Sequence, residues 1–333
     1  MECWEASLPG FADYLGRSKE SGCGIMVGII AHRGGSGLRV ENTLAAFANA
    51  IVAGAAGAEL DVRLSADGQV VVHHDSHLNP DYCLDADGNW LRSDRKVAIA
   101  DLSYESLLDF DIGTPRPGSS YAERFDLITA EKGQRIPLLR DVIRLVRNLS
   151  DSFFLIIEIK VPVLDGTEEE RQRLVDSVLS IIEQENFGDR FRLCSFDWRA
   201  LLYARRQRSA TRTWFTTHPL SWYGEDVPPA EDLRPASKYI DRFRQAYRRG
   251  APWLGDRHPD DLAGGFAEAI AAAGGEAWFM YHSDCKTSRV ETARQHGLIS
   301  AAWSVNLCDP KPLAMLANVG VDWSCVDYPG CSF

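Results

Sequence analysis

Phe153-Phe154-Leu155-Ile156-Ile157-Glu158-Ile159-Lys160 sets five apolar residues in a row before an acid and a base two positions apart. An uninterrupted apolar run of this kind fits a strand covered on both faces, as in a parallel sheet between helices. Side chains alternate along a strand, so Glu158 and Lys160 project to one side. A carboxylate there needs a partner, because an unpaired buried charge is costly. Taken alone, the pair reads equally well as a structural ion pair.

The same device stands upstream in Ala58-Glu59-Leu60-Asp61-Val62, where period two again places both carboxylates on one side. Outward from these two runs, strand-like segments recur at 25–32, 58–63, 69–74, 153–160, 191–196, 211–216, 277–282, 299–305 and 321–326, with a helical pattern at 43–53 and others between most of the rest. This is the rhythm of βαβ units and a mostly parallel sheet. Charged pairs at the carboxyl ends of two strands point to the (β/α)8 TIM barrel, whose catalytic groups gather on that face. There are more candidate strands than the eight a closed barrel needs, and periodicity does not say which is surplus. Three carboxylates offer the oxygen ligands that a hard divalent cation takes, Mg2+ or Ca2+ with Mn2+ as a further candidate, while the lack of Cys and His at ligand spacing disfavours zinc.

Composition narrows the partners. With 333 residues, 45% hydrophobic and 25% charged, the chain has the make-up of a folded globular protein. Its formal charge of -11 argues against nucleic acid, which is bound through clustered Lys and Arg. No stretch approaches the roughly 20 apolar residues of a membrane-spanning helix, so no integral membrane association is expected. The first residues are polar and acidic where an export signal would be basic and then apolar, and a cytoplasmic location is the expectation. The eight cysteines form no CxxC pair, and Cys194 and Cys325 lie in apolar runs, which fits reduced core residues. Residues 1–24 read as an N-terminal extension and 25–333 as the barrel. Between about 77 and 134 the pattern breaks into Asp, Gly, Pro and Ser clusters, which predicts an insertion over the barrel mouth with the position of a substrate lid.

Histidine supplies a second constellation. His32 and Arg33 end the first strand in IIAHRGG, and His73, His74 and Asp75 end another in VVVHHD. Two imidazoles at one barrel face can act as an acid and base pair. The ordered series His32-Arg33-Gly34, Glu41-Asn42-Thr43, Glu59-Leu60-Asp61-Val62, His74-Asp75, Glu158-Ile159-Lys160, Trp303-Ser304-Val305-Asn306 and Asp327-Tyr328-Pro329 resembles that of the glycerophosphodiester phosphodiesterases over nearly the whole chain. The resemblance implies one divalent metal held by Glu59, Asp61 and Glu158, with Glu41 completing or flanking the site. It implies His32 and His74 as general acid and base, the latter chosen over His73 because it directly precedes Asp75. Arg33 and Lys160 would hold phosphate oxygens, and Trp303 would line the pocket for glycerol or headgroup. The implied reaction is metal-dependent hydrolysis of a small-molecule glycerophosphodiester to glycerol 3-phosphate and an alcohol, through a cyclic phosphate made by the neighbouring glycerol hydroxyl.

Charge counting agrees with a metal. Three carboxylates against Arg33 and Lys160 leave one negative charge, which would repel an anionic phosphodiester, and a divalent cation reverses that sign. Of the remaining histidines only His282 is held as a further candidate, while Trp214 and Trp278 read as core. The competing readings are a phospholipase D-like enzyme acting on lysophospholipids, which should carry apolar loops at the mouth, and a noncatalytic phosphate-binding barrel, which should have lost His32 or His74.

Overall fold

The computed structural model describes residues 27–224, 237–255, 258–305 and 311–330. The N-terminal extension at 1–24 and Asn306 of the WSVN run lie outside the described residues. Among the described residues there are nine strands: β1 (Gly28–Ala31), β2 (Gly57–Leu64), β3 (Val70–Val72), β4 (Phe154–Ile159), β5 (Phe191–Ser195), β6 (Thr213–Thr216), β7 (Ala277–Tyr281), β8 (Ile299–Val305) and β9 (Trp323–Val326). All but β3 run parallel in the order β1-β9-β8-β7-β6-β5-β4-β2, and pairing of Ile30 with Gly57 and Ala31 with Ala58 closes the ring. The surplus strand is β3, which pairs antiparallel with the end of β2 outside the barrel and carries the chain to His73 and His74. The fold is the expected (β/α)8 barrel.

Helices fall between the strands where the sequence caps them. The first, Leu44–Val52, starts at Thr43, whose side chain accepts from the Ala46 N–H at 3.1 Å. Glu168–Gln184 opens with a reciprocal capping box between Thr167 and Glu170. No helix among the described residues is long and apolar enough to cross a membrane.

Period two sorts the strand side chains into two cores. Ala58, Leu60 and Val62 of β2 and Leu155, Ile157 and Ile159 of β4 face the helices in the larger cluster. Phe154, Ile156, Cys194, Trp214, Trp323 and Cys325 fill the barrel interior. The next inward positions on β2 and β4 are therefore Asp61 and Glu158, which are register partners. Trp214 and Trp278 are both buried, as are Cys83, Cys194, Cys285 and Cys325, the free cysteines among the described residues.

The 77–134 stretch is more ordered than its composition suggests. It holds the short helices Tyr104–Leu107 and Ser120–Arg124, isolated bridges such as Leu84 to Trp90, and buried side chains including Leu78, Tyr82, Ile112 and Tyr121. A run of rings from Tyr82 through Tyr121 and Phe125 to Tyr328, with centroids 4.8, 5.0 and 6.4 Å apart, ties it to the loop after β9. Hydrophobic anchors spaced between polar turns, without a repeating period, hide such a unit from pattern reading.

At the floor of the barrel, a Cβ on Gly28 would stand 2.3 Å from the Trp323 ring, which itself packs edge-on against Phe154 at 5.4 Å. Gly28→Ala should therefore destabilise the protein by about 1–3 kcal/mol, the usual cost of overpacking a filled core. A urea unfolding midpoint equal to that of the parent would show that the interior relaxes around the extra methyl.

Candidate active site

Three buried carboxylates meet at the carboxyl end of the barrel. Glu59, Asp61 and Glu158 each offer a ligand oxygen, and these atoms lie within 4.8 Å of one another. Burial, then the charges of Asp61 and Glu158, push the Glu59 carboxyl well above the usual range. Burial also works against the Asp61 charge, but Lys160, His74, Arg33 and a hydrogen bond from Asn42 overcome it and hold its pKa well down. The Asn42 amide donates to Asp61 Oδ2 at 2.8 Å, while Oδ1 faces Lys160 Nζ at 3.2 Å without accepting a hydrogen bond. Glu158 accepts from Lys160 Nζ at 2.8 Å. The group could hold a hard divalent cation: the donors are all oxygen, one is left unsatisfied, and their mutual repulsion is what a cation would relieve.

The chain reaches this cluster through an unusual turn. Arg33, Gly34 and Gly35 all adopt left-handed conformations, with φ of 51, 82 and 96°. A Cβ on Gly34 would come within 2.8 Å of the Ala46 side chain, so the turn packs directly on the first helix. The turn aims the Arg33 N–H at Glu59 Oε2, 3.1 Å away, while its guanidinium donates to Glu41 Oε1 at 2.8 Å and sits 3.5 Å from Asp61 Oδ2. Burial opposes the Arg33 charge, but Glu41, Asp61 and Glu59 more than compensate and raise its pKa. Asn42 also has positive φ, 57°, a conformation asparagine tolerates. Glu41 thus stands behind Arg33, outside the group of three converging carboxylates.

Each proposed catalytic imidazole carries a carboxylate on the same ring nitrogen. His32 Nδ1 is 2.6 Å from Asp327 Oδ1, and its Nε2 lies 4.0 Å from Glu59 Oε2. Asp327 also accepts from Ser36 Oγ at 2.7 Å. His74 Nδ1 is 2.7 Å from Asp75 Oδ1, and the His74 carbonyl accepts from Arg63 Nε and Nη2 at 2.9 and 2.7 Å. Burial, then the cations Arg33 and Lys160, push the His74 pKa down. His73 turns the other way and is buried, with Nε2 3.2 Å from the His77 carbonyl.

A cleft of about 640 Å³ opens beside this centre, within the size range of small-molecule sites. His74, Glu158 and Lys160 line it together with Phe196 and His218. Trp303 stands behind Phe196, ring edge to face at 5.4 Å, and donates to the Thr217 carbonyl at 3.2 Å. His282 follows β7 and packs against the Tyr281 ring. Sequence reasoning missed Asp327 as the partner of His32, although inward parity from Trp323 and Cys325 would have found it. It also gave no role to Asn42 or His218, for which no periodic signal exists, nor to Arg63, which shares the inward parity of Glu59 and Asp61 on β2.

A family model described as the glycerophosphoryl diester phosphodiesterase family matches residues 32–331. A glycerophosphodiester phosphodiesterase of Caldanaerobacter subterraneus is 34% identical over 176 residues, 52% of this chain and 59% of that protein. YhdW of Bacillus subtilis, assigned to the same class, is 28% identical over 303 residues, covering 90% of this chain and 94% of its own. The crystal structure of a Silicibacter pomeroyi protein of that assignment superposes with a TM-score of 0.74 at 28% identity, covering 92% of this chain and 91% of that one. The chain spans about three-fifths of the length of the first curated relatives it matches.

A divalent cation bound by this group at a hundred times its Kd should stabilise the folded protein by about 2.7 kcal/mol. Glu59→Gln should lose that gain while leaving the metal-free protein at least as stable, because a buried repulsion is removed. A thermal scan in which the variant still responds fully to metal would remove Glu59 from the coordinating group.

Proposed function

Since the chain belongs to the glycerophosphoryl diester phosphodiesterase family, we propose that it hydrolyses glycerophosphodiesters to glycerol 3-phosphate and an alcohol, with Mg2+ or Ca2+ held by Glu59, Asp61 and Glu158. The observation that carries this reading is the meeting of three buried carboxylates with two imidazoles, each gripped at Nδ1 by an aspartate. An aspartate on Nδ1 fixes the tautomer and leaves Nε2 free to exchange a proton with substrate. His32 and His74 then divide the work: one receives the proton of the attacking glycerol hydroxyl and the other supplies a proton to the departing alkoxide. The cyclic phosphate so formed is opened by water with these roles reversed.

Arg33 and Lys160 meet the phosphate oxygens from the side of the carboxylates and orient the diester in the cleft. When bound, the cation offsets the surplus negative charge and stabilises the developing charge on phosphoryl oxygen. Glu41 keeps Arg33 in place, and Trp303, through Phe196, shapes the wall against which the carbon skeleton of the substrate packs. Residues 25–333 are read as one barrel domain, with 77–134 inserted across its mouth.

Purified protein should release glycerol 3-phosphate from glycerophosphocholine or glycerophosphoethanolamine with Mg2+ or Ca2+, and chelation should stop it. His32→Ala and His74→Ala should each lower kcat by roughly 10²–10⁴-fold, the usual contribution of a positioned acid or base. Turnover at the parent rate in either variant, with an unchanged circular dichroism spectrum, would overturn the assigned role. Release from lysophosphatidylcholine alone would move the substrate to lipids.

A further inference from the structure

The cleft continues past the reacting centre along a wall of cations that the reaction itself does not use. Arg63 is the next inward residue on β2 after Glu59 and Asp61, and its two hydrogen bonds to the His74 carbonyl fix the guanidinium beside the cleft. Arg95 and Lys96, from the stretch that crosses the mouth, line the same cleft and are exposed. An adjoining groove of about 310 Å³ shares Arg63 and Lys160 with the cleft and adds Arg173 from the helix Glu168–Gln184.

Among the described residues Arg63, Arg95, Lys96 and Arg173 form no ion pair. The acids that line the cleft and the groove are already engaged: Asp75 with His74, Glu158 with Lys160, and Glu170 with the Thr167 N–H at 2.8 Å. On a chain of net charge -11, a local run of unpaired cations that opens from the reacting centre runs against the rest of the molecule. We propose that this wall binds the leaving alcohol of the substrate, and that it selects alcohols carrying a second anionic group, a phosphate. The inference rests on the hydrolytic reading above and adds the headgroup class.

A cationic headgroup such as choline would be drawn instead to the aromatic faces of Phe196, His218 and Tyr239 across the cleft, and it would be opposed by the cations. Glycerophosphoinositol 4-phosphate and glycerophosphoinositol differ by one phosphate and separate charge from size; glycerophosphocholine is the cationic comparison. The parent protein should show kcat/KM higher by roughly tenfold for the phosphorylated inositol ester, and the preference should shrink as salt is raised. The double variant Arg95→Glu with Lys96→Glu lies on the surface, and it should lose the preference while gaining activity on glycerophosphocholine.

Calorimetric titration of the two inositol esters into chelator-treated protein gives a second readout that needs no turnover. Tighter binding of the phosphorylated ester, abolished in the double variant, supports the wall as an anion subsite. Equal affinity for the two esters, or a preference for the choline ester, overturns it. Absence of hydrolysis with preferential binding intact would overturn the proposed reaction alone.

Discussion

Three carboxylates within 4.8 Å of one another inside a protein are the constraint around which the upper half of this barrel is arranged. Bringing them together without cations would be prohibitive in a medium of low dielectric. Lys160 comes from the same strand end as Glu158, and Arg33 comes from the turn after β1, so each countercharge is anchored to the sheet that carries the acids. The Asn42 amide and the Arg33 backbone N–H add neutral hydrogen bonds to Asp61 and Glu59. Arg33 is itself balanced from behind by Glu41, and the Glu41 N–H donates to the Tyr121 hydroxyl at 3.2 Å. The charge network therefore reaches from the barrel interior into the stretch that crosses its mouth.

The barrel was legible because parallel strands buried on both faces leave an unmistakable apolar run, and because acids at the ends of two such runs have no structural excuse at every occurrence. Parity along β2 and β4 correctly put Glu59, Asp61 and Glu158 on one side, and adjacency to Asp75 separated His74 from His73. The surplus strand could not be told apart in advance, since Val70–Val72 is as apolar as any barrel strand and only its antiparallel pairing sets it outside the ring.

What stayed hidden depends on contacts between residues far apart in the chain. Asp327 lies 295 positions from His32, and nothing local links them. The 77–134 stretch contributes Tyr121, Arg95 and Lys96 to the mouth through irregular backbone, where no period marks the side that faces inward. Glu41 sits next to Asn42, yet the two serve different partners, Arg33 and Asp61, because the positive φ of Asn42 turns the chain between them. A motif read as a block thus divides into separate duties once the backbone is known.

The left-handed conformation of Arg33 bears on how this protein can change. Arginine in that region costs about 1–2 kcal/mol that glycine would avoid. Relief of that strain alone would favour glycine at position 33, yet glycine would also remove the guanidinium that faces the buried Glu41 and Asp61, and leaving buried charge uncompensated costs more than the strain. The strain at this position is thus locked in by charge balance, and selection for a tougher scaffold would have to find its gains elsewhere in the chain.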